Sequence, residues 1–317
     1  MINIVFFGTE SFAKTILESI IARPDLFTVV TVVTQPPRPA GRHQILTPSP
    51  VHTAATEKKI PVLTPESLRD TDIIETLHTD TADIFLVAQY GQIIPENILA
   101  IPRQGAVNVH ASLLPCYRGS APIHAALLAG DTQTGVSFMQ MDAQMDHGPV
   151  FAQYAIEIFP EDTTPTLMAR LAECATEHLA ADLVAYYDGT KIPQEQMHTA
   201  ATTVALLTKK VGYINWKTMD AALIERMTRA FDPWPGVTTS LVGNQIKFLR
   251  AHLITDQSPN NHTPGTLVIA PGETRFTTIS GTLSIDVIQP AGKKPMSGDE
   301  FARGYAQFNG QVCASLE

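Results

Sequence analysis

Residues 2–11 read Ile2-Asn3-Ile4-Val5-Phe6-Phe7-Gly8-Thr9-Glu10-Ser11, an apolar run that halts at a glycine. A short run of β-branched and aromatic residues bounded by a turn signal predicts a buried strand. The period then changes. Phe12, Ile16 and Ile20 recur at four-residue steps and line one face of a helix over 11–22, with Ser11 as its N-cap and Pro24 marking the stop. Apolar runs at 29–33, 84–88 and 106–109 repeat the strand signal, and helix-like text separates them. Strands alternating with helices predict an α/β fold on a parallel-rich sheet with right-handed crossovers. The Gly8-Thr9-Glu10-Ser11 turn lacks the GxGxxG spacing, which disfavours a nicotinamide site.

At 317 residues the chain is long for one core, and two domains are expected. The text turns polar at Asp188-Gly189-Thr190-Lys191-Ile192-Pro193-Gln194 and then restarts. This divides the chain into a catalytic domain over 1–189, a linker over 190–209 and a carboxyl-terminal domain over 210–317. In the last part, short strand candidates at 245–249, 265–269 and 283–288 are separated by Gly, Pro and Asn clusters, the spacing of a small β-barrel. The net charge of −9 is uneven: 12 basic and 22 acidic groups give −10 over 1–209, whereas 10 and 9 give +1 over 210–317. The second part is therefore the less hostile to a polyanion, although an acidic total weighs against nucleic-acid binding in general. Cys116, Cys174 and Cys313 form no CxxC pair and fit free thiols in a reducing compartment. With no basic flank before residue 2 and no apolar segment of bilayer length, a cytoplasmic location is expected.

The stretch most able to carry chemistry is Asn108-Val109-His110-Ala111-Ser112-Leu113-Leu114-Pro115-Cys116-Tyr117-Arg118-Gly119. In a strand, alternation puts Asn108 and His110 on one face with Cα atoms about 6.5 Å apart. They fall at a carboxyl end, where open α/β sheets bind ligands. An amide donor beside an imidazole suits acyl transfer: Asn108 can hold an oxyanion and His110 can move a proton near neutral pH. Two buried hydrogen-bonded structural groups would leave the same pattern. Downstream, Asp146-His147-Gly148-Pro149 offers a carboxylate on a turn, able to orient His110 or to serve only as a turn former. Ser112 lacks the flanking glycines of a nucleophile elbow and reads as a hydrogen-bonding loop residue. His147 reads as a turn histidine pointing away from Asp146, and no HExxH is present. Trp216 and Trp234 are expected in the barrel core, and Met139 and Met141 read as core.

The Asn-x-His strand end, the Ser-Leu-Leu-Pro-x-Tyr-Arg-Gly loop and the later Asp-x-Gly together resemble the folate-dependent formyltransferase family. Further segments are similar to the branch of that family acting on methionyl-tRNA. They include Arg38-Pro39-Ala40-Gly41-Arg42, Met139-Gln140-Met141-Asp142, Phe231-Asp232-Pro233-Trp234-Pro235 and Gln289-Pro290-Ala291-Gly292-Lys293-Lys294-Pro295-Met296. The resemblance runs nearly the full length and implies a Rossmann-like formyltransferase domain followed by an OB-like barrel that binds tRNA.

By that resemblance Asn108, His110 and Asp146 are catalytic, and 10-formyltetrahydrofolate is the co-substrate, bordered by Ser112, Leu113, Leu114, Pro115, Leu86, Ala88, Tyr90, Gln140 and Asp142. Arg42 would reach the acceptor stem of initiator methionyl-tRNA, with Lys209, Lys210, Lys293 and Lys294 as further phosphate contacts beside Arg303. No metal, no membrane partner and a monomer are expected. The sequence departs from the family pattern at His43-Gln44, where adjacent lysines are common, at Cys116, where a basic residue is frequent, and at His147, where a small residue is common. Two other readings stay open: an N-formyltransferase acting on an amino sugar nucleotide or other small amine, and a non-catalytic RNA-binding protein on the same scaffold.

Overall fold

The computed structural model describes residues 1–41, 44–254 and 262–315. The chain divides into two compact units. The first comprises Met1–Pro122, Gln133–Glu157 and Leu167–Ala205, and the second Ile123–Thr132, Ile158–Thr166 and Leu206–Glu317.

A seven-stranded sheet forms the frame of the first unit. Its order is Val150–Glu157, Gln133–Gln140, Ala106–His110, Ile84–Ala88, Ile2–Gly8, Phe27–Val33 and Val62–Leu63. The last five strands of that order are parallel, while Gln133–Gln140 runs antiparallel to both of its neighbours. Strands such as Ile84–Ala88 are buried throughout, which is why they read as unbroken apolar runs. Val5, Phe7, Val33, Phe85, Val87 and Tyr90 share one core cluster, with the Phe7 and Phe85 rings 5.1 Å apart. The chain moves outward from Ile2–Gly8 on one side and then crosses to Ile84–Ala88 on the other. Sheet order therefore reverses at the carboxyl ends of these two strands, the usual place for a ligand crevice.

The first helix runs Ser11–Ile21, and its capping position is Glu10 rather than Ser11. Glu10 holds the extended backbone that a cap needs, while the Ser11 hydroxyl, inside the first turn, faces Met168 Sδ at 3.9 Å. Residues 190–205 of the expected linker lie within the first unit.

In the second unit, antiparallel strands run in the order Val237–Leu241, Asn244–Ile254, Thr282–Pro290, Glu273–Thr277 and Leu267–Ala270, and Met296–Ser297 pairs with Thr282–Pro290. Residues 310–314 join the two ends of this sheet. Ser240 and Ala314 exchange backbone hydrogen bonds of 3.3 and 2.8 Å, Cys313 N–H donates to Gly265 O at 2.9 Å, and Leu267 N–H donates to Gln311 O at 2.8 Å. Among the described residues this segment closes a curled sheet into a barrel. Inside, Trp216 stacks near Phe276 and donates from Nε1 to Thr239 Oγ1 at 2.8 Å.

Trp234 corrects the sequence reading: it is 52% exposed. The turn from the helix Ala221–Ala230 to the strand Val237–Leu241 is short, and Phe231 takes its buried position instead.

Deleting residues 311–317 should destabilise this unit by several kcal/mol, since each hydrogen bond lost contributes about 1 kcal/mol and both sheet ends lose pairing. Urea unfolding checks this; an unchanged midpoint would show that the barrel closes without its last segment.

Candidate active site

Register builds the site. In Ala106–His110, Asn108 lies beside Val87 on one side and Met139 on the other, and His110 lies beside Ser137. Asn108 is half-buried and His110 is buried. The loop that follows is held from below. Ser137 Oγ donates to Ser112 O at 2.6 Å and accepts from Leu114 N–H at 3.0 Å, and Gln153 Nε2 donates to Leu114 O at 2.7 Å. The Ser112 hydroxyl donates to Cys116 O at 2.6 Å, so it staples the loop.

Asp146 meets both strand residues. Its Oδ1 accepts from Asn108 Nδ2 at 3.2 Å and lies 3.7 Å from His110 Nδ1. Its Oδ2 accepts from Gly119 N–H at 2.7 Å. The carboxylate thus joins the strand end, the loop and its own turn. Gly119 has a φ of +115°, and a methyl there would run into the carbonyl oxygen of Val204. Only glycine lets this backbone come so near Val204.

His110 Nε2 lies 3.1 Å from Tyr117 O. A carbonyl can only accept, so Nε2 carries the proton and Nδ1 is the nitrogen turned to Asp146. In neutral His110 a lone pair faces the carboxylate; a proton arriving at Nδ1 would lie between the two groups. This arrangement can take a proton and keep the resulting positive charge beside a negative one.

The other expected residues are spread more widely. Leu86 and Ala88 are fully buried, and Tyr90 packs edge-on to Phe7 at 5.5 Å, with burial raising its phenol well above the usual range. Leu113 lies over Gly135, Pro115 is partly exposed, and Gln140 is half-buried at the end of its strand. Asp142 Oδ2 accepts from His147 Nδ1 at 2.7 Å. Lys209, Lys210, Lys293 and Lys294 are exposed in the second unit. Arg42 and His43 lie outside the described residues.

Several contributors escaped the sequence reading: the Gly119 amide, the Tyr117 carbonyl, Arg118 and Gln196. The first three sit inside the quoted loop but act through backbone or through a remote partner. Gln196 lies in text read as linker, with no pattern to mark it.

Residues 2–183 match the formyl transferase family and residues 206–306 its C-terminal domain. The methionyl-tRNA formyltransferase of Roseiflexus sp. (strain RS-1) is 42% identical over 310 residues, 98% of this chain and 94% of that protein. The chain belongs to the methionyl-tRNA formyltransferase family. Its relative of the same name from Nitrosomonas europaea is 40% identical over 98% of this chain and 95% of that protein. Among solved structures, the sugar 3N-formyl transferase WlaRD superposes with a TM-score of 0.65 at 18% identity, covering 93% of this chain and 99% of that one. That likeness speaks to fold: this formyltransferase shares the two-part architecture with an enzyme of distant sequence.

Proposed function

We propose that the chain moves a formyl group from 10-formyltetrahydrofolate to the α-amine of methionine on initiator tRNA, with Asn108, His110 and Asp146 performing the transfer. The observation that carries this is the convergence on one carboxylate of an amide, an imidazole nitrogen and a backbone N–H. Family membership over both units supplies the donor class and the acceptor.

Asn108 Nδ2 has two N–H groups and gives one to Asp146, leaving the other to receive the oxyanion that forms when the neutral amine attacks the formyl carbon. The amine proton passes to His110 Nδ1, where Asp146 balances the imidazolium. Collapse of the tetrahedral adduct breaks the bond to the folate nitrogen, which takes that proton back. No acyl-enzyme is needed, and much of the acceleration comes from holding two substrates together.

Two buried acceptor and donor atoms support a polar heterocycle near the crevice. Gln89 Oε1 and Tyr90 Oη find no partner among the described residues. An unpaired buried polar atom costs about 1–3 kcal/mol, which a hydrogen-bonding pterin would offset. The exposed Lys209, Lys210, Lys293 and Lys294, and Arg42, supply candidate phosphate contacts for tRNA.

The test is transfer of labelled formyl from 10-formyltetrahydrofolate with charged initiator tRNA and a nucleotide-linked amino sugar in competition. Label is expected on the methionyl amine, with KM rising steeply across a salt series as phosphate contacts are screened. Label on the sugar alone would select the small-amine reading, and binding of tRNA without transfer would select the non-catalytic one.

A further inference from the structure

Gln196 comes from a polar stretch, yet its side chain is buried and every polar group on it is used. Its Nε2 donates to Asp146 O at 2.9 Å and to Gly148 O at 2.7 Å. Its Oε1 accepts from Arg118 Nε at 3.1 Å and from a terminal guanidinium nitrogen at 2.7 Å. A cation on the acceptor end of an amide polarises it and strengthens the bonds donated from the other end. Arg118 thus acts on the Asp146 turn through Gln196.

That turn needs holding. Asp146 has a φ of +48°, in the left-handed region that non-glycine residues rarely occupy. From this backbone its carboxylate meets Asn108, His110 and Gly119 together. The carbonyls gripped by Gln196 bracket His147, and His147 is gripped too: its ring stacks on His198 at 4.0 Å with planes 3° apart. His198 Nδ1 lies 2.9 Å from the Arg118 guanidinium, so it is the lone-pair nitrogen of that ring.

The segment that supplies Gln196 and His198 is fixed at both ends. Gln194 exchanges backbone hydrogen bonds of 2.8 and 2.9 Å with Val150. Thr203–Val204 pairs in parallel with Arg118–Gly119, and Thr202 Oγ1 accepts from Tyr117 N–H at 2.8 Å. One short strap therefore contacts the turn bearing Asp146, the residue whose carbonyl orients His110, and the strand whose amide binds Asp146.

We infer that Gln196, polarised by Arg118, is a positioning residue for formyl transfer, holding the backbone of Asp146 so that its carboxylate faces Asn108 and His110. The inference rests on the reading of Asp146 as catalytic. It predicts a loss in kcat with substrate binding nearly untouched, because Gln196 has no polar group left to offer a substrate.

The test uses the full-length enzyme with Gln196→Met, which keeps length and removes the hydrogen bonds, and Gln196→Glu. The latter keeps the acceptor for Arg118 and sets a carboxylate oxygen against the carbonyls of Asp146 and Gly148. Both variants should lose about 10- to 100-fold in kcat, the effect of a misplacement near 1 Å, with KM for folate and tRNA within about twofold. In an Asp146→Asn background, followed in single turnover, the same changes should have almost no further effect. If Gln196→Met does not fold, Gln196→Glu carries the test, since its pair with Arg118 is retained. Wild-type kcat in folded Gln196 variants, or a full additional loss in the Asp146→Asn background, would overturn the inference. Should Asp146→Asn alone run at the wild-type rate, the reading of the carboxylate itself falls, and the inference with it.

Discussion

Replacing His110 by alanine should lower kcat for formyl transfer by about 10²- to 10⁴-fold, the range in which a positioned general acid or base contributes. The imidazole is the group whose Nδ1 can take the amine proton, and it is held by a carbonyl on one side and a carboxylate on the other. Alanine removes the acceptor and leaves Tyr117 O without its 3.1 Å partner. The stability lost with that bond is about 1–3 kcal/mol, small beside the catalytic effect and separable from it by a melting curve. Asn108 and Asp146 stay bonded to one another in the variant, so oxyanion binding persists and activity does not fall to zero. A His110→Ala enzyme within threefold of the wild-type kcat would remove His110 from the reaction.

Asp146→Asn should be nearly as damaging, with kcat reduced about 10²- to 10³-fold, comparable with loss of an oxyanion-hole donor. Asparagine is the suitable probe because it tolerates the left-handed backbone at this position, so the turn can keep its path. An amide has one acceptor where the carboxylate has two. If its oxygen stays on the Gly119 N–H, its NH₂ meets Asn108 Nδ2 donor against donor and points an N–H at the His110 Nδ1 lone pair that would otherwise take the amine proton. Asn108 must then rotate, and its spare N–H leaves the place prepared for the oxyanion. Measurement of kcat beside the melting temperature decides the matter; a folded variant with full activity would show that the negative charge is dispensable.

The sheet and the common strand end carrying Asn108 and His110 are legible in the sequence. Strand alternation has a fixed period, so Asn108 and His110 could be assigned one face from their spacing alone. By residue chemistry alone Asp146 reads as a turn carboxylate able to orient His110, and only the family resemblance ties it to Asn108, because its reach back to the strand is set by long-range packing. The contribution of Gln196 was invisible for a different reason: a strap tied down by backbone hydrogen bonds has the same polar composition as a tether. Trp234 misled because proline neighbours do not fix burial, and Phe231, three residues earlier, filled the core. The closing segment 310–314 is too short and too mixed in character to announce a strand, and its sheet partners are 43 to 74 residues distant.

The strap also decides where hybrid enzymes can be spliced. A graft that keeps residues only up to the polar run near 189, and attaches a foreign carrier domain there, arrives without the glutamine bonded to the Asp146 backbone. Moving the junction past Ala205 keeps Gln196 with the turn it binds, so under the inferred positioning role the choice of joint is expected to govern the turnover of the chimera before its new cargo is considered.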